Sequence, residues 1–309
     1  MYMAKRPAEL AGVADVDCTG LQALVTGSTS GIGREAALSL GRLGTDVIVH
    51  GRDSDAGAEV VAELSQLGVN ASFVPADFAA VDAVRSLAAT VRDETDGLDI
   101  LVNNAGGLFR EGRLTDAGVE YTFHVNHLGP YLLTADLLTH LNPGARVVTT
   151  ASSAHKGPSL DLDRVTTVDR YSGMWAYSHS KLANVLFATE MARRLDAADR
   201  DVVSNCLHPG AIPGSGFSRF LPGPIPQVVK LFDAMPGVTS VEDGAAEIMH
   251  LAVSDRTGDV SGRYFAGQRP ATPSNAARDK AAASLLWRRS AELLGIDEPL
   301  SDMKSTVES

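Results

Sequence analysis

The amino-acid sequence predicts an α/β fold, in which a doubly wound, mostly parallel sheet carries helices on both faces. From residue 21 onward, short runs of β-branched residues alternate with longer segments whose apolar residues recur every three or four positions. This alternation is typical of repeated βαβ units. No internal repeat or linker interrupts it, so we expect a single domain over residues 1–309 with its core at about 21–294. The first ~15 and last ~8 residues are expected to be frayed.

The pattern assigns about seven strands and six helices. Strands are expected at residues 22–26, 46–50, 71–75, 100–103, 146–150, 202–207 and 262–265. Helices are expected at residues 34–43, 54–67, 80–94, 121–141, 174–195 and 278–294. A Gly- and Pro-rich stretch at 209–236 breaks the alternation, and the last helix is expected to cover an edge of the core.

Composition and charge exclude several classes of protein. Hydrophobic residues make up 44% and charged residues 21% of the chain, which indicates an ordinary globular protein. The net charge of −11 would repel a phosphate backbone, so nucleic acid is not an expected partner. Cys18 and Cys206 are too few for a disulfide framework or a four-ligand zinc site, and no metal is expected. No apolar run approaches the ~20 residues of a membrane span, so we expect a soluble, cytoplasmic protein.

The first predicted strand runs into a glycine-rich turn before the first helix. The turn reads Thr26-Gly27-Ser28-Thr29-Ser30-Gly31-Ile32-Gly33. Glycine lets the backbone approach a pyrophosphate, and the helix N-terminus offers free N–H groups and the positive end of the helix dipole. The turn from Gly27 to Gly33 is therefore expected to bind a cofactor through its phosphates. For this motif taken alone, the alternative is a tight turn without a ligand.

Tyr177 and Lys181 lie four residues apart in a predicted helix, so their side chains project from the same face. A tyrosine that exchanges a proton with a carbonyl group is helped by a nearby ammonium, because its free pKa of ~10 makes the phenolate rare at neutral pH. We therefore expect Lys181 to lower the pKa of Tyr177 and Tyr177 to act as an acid or base. The same spacing also occurs on exposed helices with no catalytic role.

The landmarks of this sequence, taken in order, resemble the short-chain dehydrogenase/reductase family. The resemblance rests on TGxxxGIG at 26–33, NNAG at 103–106 and YxxxK at 177–181, and it covers about residues 21–294. The retinol-dehydrogenase-like branch is the most similar, because the chain carries HVNHLG, SSAHKG, YSHSKLANVLFATEMARRL and LLWRRSAELLG. The resemblance implies a Rossmann-type fold and an oxidoreductase that uses a nicotinamide cofactor.

The resemblance also implies a catalytic tetrad, which consists of Asn126, Ser152, Tyr177 and Lys181. Ser152, at the end of the fifth strand, would hold the substrate oxygen, and Asn126 would anchor a water that connects the lysine to solvent. Ser153 is the alternative to Ser152, one residue on and pointing the other way. A mid-helix asparagine such as Asn126 is otherwise a polar-face residue.

Further cofactor contacts follow from the resemblance. They are Asp77, Phe78, Asn104, Ala105, Gly106, Pro209, Gly210 and Ile212, together with Tyr177 and Lys181. Asp77 matches an adenine-side acid, the loop at 103–106 shapes the nicotinamide side, and the Pro-Gly motif meets the carboxamide. Where the family motif next has a threonine, this chain has Gly214 followed by Ser215, which leaves that hydrogen bond open.

The end of the second strand predicts which dinucleotide is preferred. An NAD site usually carries an acid here for the ribose 2′-hydroxyl, whereas a cation is used for a 2′-phosphate. The chain reads His50-Gly51-Arg52-Asp53, so Arg52 favours NADP(H), with NAD(H) still open. The alternative is a surface arginine beside Asp53, which would cap the next helix.

The expected function is that of an NADP(H)-dependent alcohol dehydrogenase or carbonyl reductase. It would transfer a hydride between nicotinamide and the carbonyl or alcohol carbon of an apolar aldehyde, ketone or alcohol. The alternative is a non-catalytic NADP(H)-binding sensor. A methyltransferase on a similar sheet would leave the Tyr–Lys pair unexplained.

An apolar, proline-rich segment at 213–239 is expected to form a lid over the substrate. A static loop or an oligomer contact is the alternative for this segment. The resemblance implies a homodimer or homotetramer, although a prominent terminal helix can block such contacts.

Overall fold

Eight strands form one sheet in the computed structural model, which describes residues 6–210 and 239–301. In chain order they are β1 Gln22–Val25, β2 Asp46–Gly51, β3 Ala71–Pro75, β4 Leu98–Asn103, β5 Leu141–Thr150, β6 Val202–His208, β7 Tyr264–Ala266 and β8 Arg269–Pro270. Their order across the sheet is β3-β2-β1-β4-β5-β6-β7-β8. Every neighbouring pair is parallel except β7 and β8. The doubly wound, mostly parallel fold predicted from sequence is confirmed.

The seven expected strands are all present, and the structure adds one and lengthens another. The added strand β8 has two residues, too few for any periodic signal. The fifth strand begins at Leu141 instead of 146, because Leu98 pairs with Leu141 while Ile100 pairs with Arg146. The intervening Pro143 and Gly144 therefore lie in an irregularity of the ladder, where such residues are tolerated and sequence patterns end.

Helices cover both faces of the sheet. In chain order they are α1 Pro7–Ala11, α2 Gly31–Arg42, α3 Ser54–Gln66, α4 Val81–Glu94, α5 Tyr121–Phe123, α6 Gly129–Leu137, α7 Gly173–Ala197, α8 Val241–Val253 and α9 Lys280–Leu294. Short 3₁₀ turns lie at Leu138–His140, Ser153–Lys156, Arg164–Thr166, Asp255–Thr257 and Ala276–Arg278. No helix within the described ranges has the length and apolarity to cross a membrane.

The helix expected at 121–141 is interrupted. A π-helical turn, His124–Leu128, separates α5 from α6, and Gly129 donates its backbone N–H to the carbonyl of His124, five residues back. Pro130 has no N–H, so it cannot make the α-helical bond to the carbonyl four residues before it. The proline therefore explains why a continuous α-helix cannot run through this segment.

Strand residues alternate between two hydrophobic layers. Leu24 and Val147 face the layer with α4, α6, α7 and α9, whereas Val25 and Val148 face the layer with α1, α2, α3 and α8. Such alternation follows from the period of two in a strand. Because both faces are buried, the sheet is held rigidly and its carboxyl edge can carry a site.

The N-terminal segment is ordered from an earlier residue than expected. Ala8 and Ala11 of α1 are buried, as is Val13, and α1 packs against α8. The expectation that about 15 N-terminal residues are frayed is therefore wrong for residues 7–13, because these small apolar side chains complete the layer beside α8. Helix α8 itself begins with a capping box between Ser240 and Asp243.

A final helix is present as the sequence predicts, and this helix, α9, packs on α7. The Trp287 ring stacks on Phe187 with centroids 5.7 Å apart and meets Tyr131 edge-on at 5.1 Å. Its indole N–H donates to the carbonyl of Pro299 at 3.0 Å, and the Tyr131 hydroxyl donates to the carbonyl of Trp287 at 2.9 Å. Trp287 is therefore the anchor of this helix.

Truncating Trp287 should lower the stability of the protein measurably. We expect Trp287→Ala to cost about 3–5 kcal/mol, because a buried aromatic ring is replaced by a cavity. Leu285→Ala on the exposed side of the same helix should change the free energy of unfolding by less than about 0.5 kcal/mol. Urea unfolding monitored by circular dichroism measures both, and equal effects would show that α9 does not depend on this ring.

Candidate active site

Loops from the carboxyl ends of six parallel strands surround a cavity of about 880 Å³. The glycine-rich turn after β1 lies beside the loop after β4, at the point where the strand order reverses. Open α/β sheets bind ligands at this reversal point. Of the residues expected to contact cofactor or substrate, those that line the cavity are Gly27, Thr29, Ser30, Gly31, Ile32, Gly33, Arg52, Asp77, Phe78, Asn104, Ala105, Gly106, Ser152, Tyr177, Lys181, Pro209 and Gly210.

The glycine-rich turn is packed too tightly for side chains at two positions. A Cβ on Gly27, whose φ is 66°, would lie 2.8 Å from the Cα of Ala105. A Cβ on Gly33 would lie 2.4 Å from the carbonyl oxygen of Gly27. Helix α2 starts at Gly31, and the Ser30 side chain makes no capping bond. The first N–H groups of the helix are therefore directed at the cavity without a side-chain acceptor.

Ser28 does not face the cavity, which corrects its expected role as a cofactor contact. Its side chain is fully buried, and its hydroxyl donates to the carbonyl of Val25 at 2.6 Å and accepts the N–H of His50 at 3.0 Å. Both bonds hold the turn to the adjoining strands. Thr29, the next residue, points into the cavity instead.

Thr26 and Asn104 tie the two central loops together. The Thr26 hydroxyl accepts the N–H groups of Asn104 and Ala105 at 2.9 and 3.0 Å. The Asn104 amide donates to the carbonyl of Thr26 at 3.0 Å. These bonds fix the spacing between the glycine-rich turn and the loop at 103–106, and the Thr26 hydroxyl was not singled out from the sequence.

At the end of β2, Arg52 is exposed and lines the cavity, while Asp53 caps α3 by accepting the N–H of Ala56 at 3.1 Å. Asp77 accepts the N–H of Ala79 at 3.0 Å and lines the same end of the cavity. Capping of α3 therefore explains the position of Asp53 but not that of Arg52, which lines the cavity.

His50 is a site residue that the sequence analysis did not identify. Its Nδ1 accepts the N–H of Gly27 at 3.2 Å, and its Nε2 bonds the carbonyl of Ala76 at 3.2 Å. Its ring stacks on Phe78 with centroids 4.6 Å apart. Burial lowers the pKa of His50 to about 4, so the ring is neutral at pH 7 and joins the first three strands under the glycine-rich turn.

Helix α7 brings Tyr177 and Lys181 to the cavity from one face. The Lys181 ammonium lies 5.8 Å from the centroid of the Tyr177 ring. It donates to the carbonyl of Thr150 at 2.8 Å, and the Asn184 amide donates to the same oxygen at 3.2 Å. Lys181 is only 4% exposed, and together with the bond to Thr150 this burial holds its ammonium between α7 and the end of β5.

The electrostatics of this pair differ from the expectation. Burial lowers the pKa of Lys181 to about 8. Burial also raises the pKa of Tyr177, and a hydrogen bond with the Ser152 side chain partly offsets this. The pKa of Tyr177 therefore lies above its ordinary value instead of below it, because desolvation outweighs the hydrogen bond from Ser152. The phenol is protonated at pH 7 and can act as a proton donor.

Ser152 precedes the short 3₁₀ turn after β5 and bonds Tyr177. Its hydroxyl oxygen accepts the N–H of Ala154 at 3.2 Å, so its single hydrogen is the one donor that the side chain offers. Ser153 also lines the cavity and is exposed. The bond to Tyr177 distinguishes the two serines and favours Ser152.

Asn126 lies behind the cavity in the π-helical turn and does not line it. Its amide donates to the Ser180 hydroxyl and to the carbonyl of Gly107, both at 2.9 Å, and its oxygen accepts the N–H of Gly107 at 2.8 Å. A Cβ on Gly106 would lie 2.7 Å from this oxygen and 3.7 Å from the Lys181 nitrogen. Asn126 therefore orders the loop next to the lysine, and its role as a water anchor stays a prediction.

The Pro-Gly motif after β6 reaches the cavity, and its Gly210 has a φ of 85° with Thr239 where a side chain would be. Ile212 and all of the expected lid except Thr239 lie outside the described residues. Three apolar residues, Leu108, Phe109 and Met174, also line the cavity and are called its apolar wall. Met174 precedes Tyr177 by three residues, a spacing that places it on the same helix face.

The described residues contain no group of three or more His, Cys, Asp or Glu side chains that could hold a metal ion. His124, His127 and His155 are all buried.

The fold and the glycine-rich turn at the reversal of strand order define a dinucleotide-binding α/β protein. Residues 22–219 match the family described as short chain dehydrogenase. Retinol dehydrogenase 13 of Homo sapiens is 37% identical over 297 residues, which cover 91% of this chain and 86% of that protein. The chain therefore belongs to the short-chain dehydrogenase/reductase family of oxidoreductases and is retinol-dehydrogenase-like.

Two further comparisons agree with this assignment. Polyprenol dehydrogenase of Mus musculus is 36% identical over 284 residues, covering 89% of this chain and 84% of that protein. The crystal structure of a short chain dehydrogenase from Burkholderia cenocepacia in complex with NADP has a TM-score of 0.65 at 28% identity. That match covers 84% of this chain and 99% of the other.

Replacing Lys181 by methionine should stabilise the protein while removing a site residue. The pKa of about 8 lies below the ordinary lysine value of 10.5, so the buried ammonium costs roughly 3 kcal/mol at pH 7. This cost is fully present below pH 8 and disappears as the pH rises toward 10.5. Lys181→Met should therefore raise the Tm by a few degrees at pH 7, and the gain should shrink at higher pH.

Differential scanning calorimetry at several pH values measures this change. Asn184 still donates to the carbonyl of Thr150 in the variant, so no buried acceptor is orphaned. Lys280→Met at an exposed lysine of α9 is the control, and no such gain is expected there. An unchanged or lower Tm for Lys181→Met at pH 7 would show that burial of the ammonium does not destabilise the folded protein.

Proposed function

We propose that this protein is an NADP(H)-dependent oxidoreductase that interconverts a carbonyl group and an alcohol of an apolar substrate. The observation that carries the proposal is the meeting of Ser152, Tyr177 and Lys181 in the cavity that the glycine-rich turn also lines. A phosphate-binding turn alone would suit many nucleotide-binding proteins. The protonated phenol and the serine hydroxyl beside it add the means to bind and protonate a carbonyl oxygen.

The cavity fits a dinucleotide. Side chains are excluded at Gly27 and Gly33, so backbone can approach a pyrophosphate, and the start of α2 directs its N–H groups there. A Cβ on Gly51 would lie 2.5 Å from the Thr29 side chain, so the glycine lets Thr29 pack against the end of β2. Arg52 would hold the 2′-phosphate and Asp77 with Phe78 the adenine side, while Lys181 would hold the nicotinamide ribose. The bound cofactor would supply or accept the hydride.

In the direction of reduction, Tyr177 donates its phenolic proton to the carbonyl oxygen. Ser152 donates a hydrogen bond to the same oxygen and so orients the carbonyl group. Lys181 favours the phenolate that remains on Tyr177, because its positive charge lies close by in a partly desolvated site. Asn126 keeps the loop next to Lys181 in place through Gly107.

The apolar substrate is inferred from the wall formed by Leu108, Phe109 and Met174. Such a wall favours the burial of a hydrocarbon group and offers no charged partner to a small polar substrate. The similarity to a retinol dehydrogenase and a polyprenol dehydrogenase supports the same substrate class. An NADPH-oxidation screen against aldehydes and ketones of graded size tests the proposal, and NADPH binding without turnover of any of them would favour a sensor.

A reducing, cytoplasmic location is part of the proposal. Cys18 and Cys206 are both free and buried, as expected of thiols that are not used for cross-linking.

Removing the phenolic hydroxyl should abolish most turnover. We expect Tyr177→Phe to lower kcat for carbonyl reduction by at least ~100-fold, because the general acid is lost while the ring is kept. The dissociation constant for NADPH should change little. Ser152→Ala should also lower kcat strongly, whereas Ser153→Ala is the matched control and should be much milder. A reversed order of the two serines would transfer the role to Ser153.

Arg52 should determine the cofactor preference. A guanidinium makes charge-assisted bonds to a 2′-phosphate that the plain ribose of NADH cannot accept, worth about 2–3 kcal/mol or roughly 30- to 150-fold in kcat/KM. Arg52→Ala should remove most of this preference by weakening NADPH, and Arg52→Asp should favour NADH.

Steady-state kinetics with both cofactors measures this preference. Arg288→Ala, at an exposed arginine of α9 outside the cavity, is the control. Equal kcat/KM values for NADPH and NADH in the unmodified protein would show that Arg52 is only a surface cation.

A further inference from the structure

His155 lies directly behind Ser152 and has no contact with the cavity. It is fully buried in the short 3₁₀ turn after β5. The ring of Tyr264 packs edge-on against the imidazole, with ring centroids 4.9 Å apart. Both of its ring nitrogens have partners. Nδ1 lies 2.6 Å from the carbonyl oxygen of Ser152, and Nε2 accepts the backbone N–H of Ser274 at 3.2 Å.

These two bonds permit only one neutral form of the ring. The backbone N–H of Ser274 can only donate, so Nε2 must be unprotonated. The carbonyl of Ser152 can only accept, so Nδ1 must carry the hydrogen. Burial lowers the pKa of His155, which keeps the ring neutral at pH 7. The backbone N–H of His155 also donates to the carbonyl of Ser152, at 3.1 Å, so His155 makes two hydrogen bonds to this one carbonyl.

We propose that His155 is a positioning residue that sets the orientation of Ser152, and that it links the serine to the segment preceding α9 through Ser274. The proposal rests on the proposed function, since Ser152 is the group that it positions. The Ser152 hydroxyl must lie at one angle to accept the N–H of Ala154 and to donate its single hydrogen to a substrate oxygen in place of Tyr177. Rotation of the Ser152 peptide would move that hydroxyl, and the imidazole prevents this rotation.

Two substitutions separate the bonds that His155 makes. An asparagine amide nitrogen occupies the place of Nδ1, so His155→Asn retains a donor for the carbonyl of Ser152 and loses the bond to Ser274. A glutamine amide reaches the place of Nε2, so His155→Gln retains the bond to Ser274 and loses the donor for Ser152. We expect kcat for carbonyl reduction to fall at least 10-fold in His155→Gln and less than 3-fold in His155→Asn. The larger loss is the size expected when one uncharged hydrogen bond that orients a site residue is removed. The KM for NADPH should stay within 2-fold of its original value in both variants.

A double-mutant cycle shows whether His155 acts through Ser152. In a Ser152→Ala background no hydroxyl remains to be oriented, so adding His155→Gln should lower kcat by less than 2-fold. The inference is overturned if His155→Gln lowers kcat equally in both backgrounds, if it leaves kcat unchanged, or if His155→Asn is the more damaged variant. Thermal unfolding of each variant identifies any loss that comes from unfolding alone.

The ring tautomer gives a test that needs no turnover. Nitrogen-15 NMR of protein labelled at its eight histidines should show the Nδ1–H form for His155, assigned by the signals missing in His155→Gln. His50 is an internal control of the opposite form, because its Nδ1 accepts the N–H of Gly27. An Nε2–H tautomer at His155 would overturn the inference, whereas a protein with the Nδ1–H form that reduces no carbonyl would overturn the proposed function only.

Discussion

The hydrogen bond from the Lys181 ammonium to the carbonyl of Thr150 is the contact on which the site depends. Thr150 is the last residue of β5, and Lys181 lies on the buried face of α7. The bond therefore fixes the helix that carries Tyr177 against the strand end that carries Ser152. Asn184 donates to the same oxygen one helical turn later, so two donors hold the helix in register with the sheet. A charge that is costly to bury thus determines how the helix and strand are aligned.

The sequence predicted the sheet and its carboxyl edge well because these depend on local patterns. Strand runs and helical periodicity located seven strands, and the glycines at Gly27 and Gly33 marked a close approach that the structure shows directly. The two-residue β8 and the short α1 carry too few residues for a period, and their place depends on distant neighbours. Pro130 interrupts the hydrogen-bonding pattern of an α-helix, but the sequence pattern did not predict that a π-helical turn would form before it.

Side-chain direction and solvation were harder to predict than position. Ser28 and Thr29 are adjacent polar residues in one turn, and only the packing of Ser28 between β1 and β2 shows that its hydroxyl is occupied. The raised pKa of Tyr177 follows from burial, which the spacing of tyrosine and lysine does not report. His50 and His155 each make one bond to a residue that is distant in sequence, Gly27 and Ser274 respectively, and the sequence analysis did not identify either of these bonds.

The position of α9 after α7 in the chain has a consequence for synthesis. Domains are made from the N-terminus onward, and α9 is the last helix that packs on α7. Until residues 280–294 leave the ribosome, the rings of Phe187 and Tyr131 lack their partner Trp287 and face water. Between the synthesis of Phe187 and the emergence of α9, the nascent chain therefore carries an uncovered apolar face of the kind that chaperones bind. The helix of the active site is fully enclosed only afterwards.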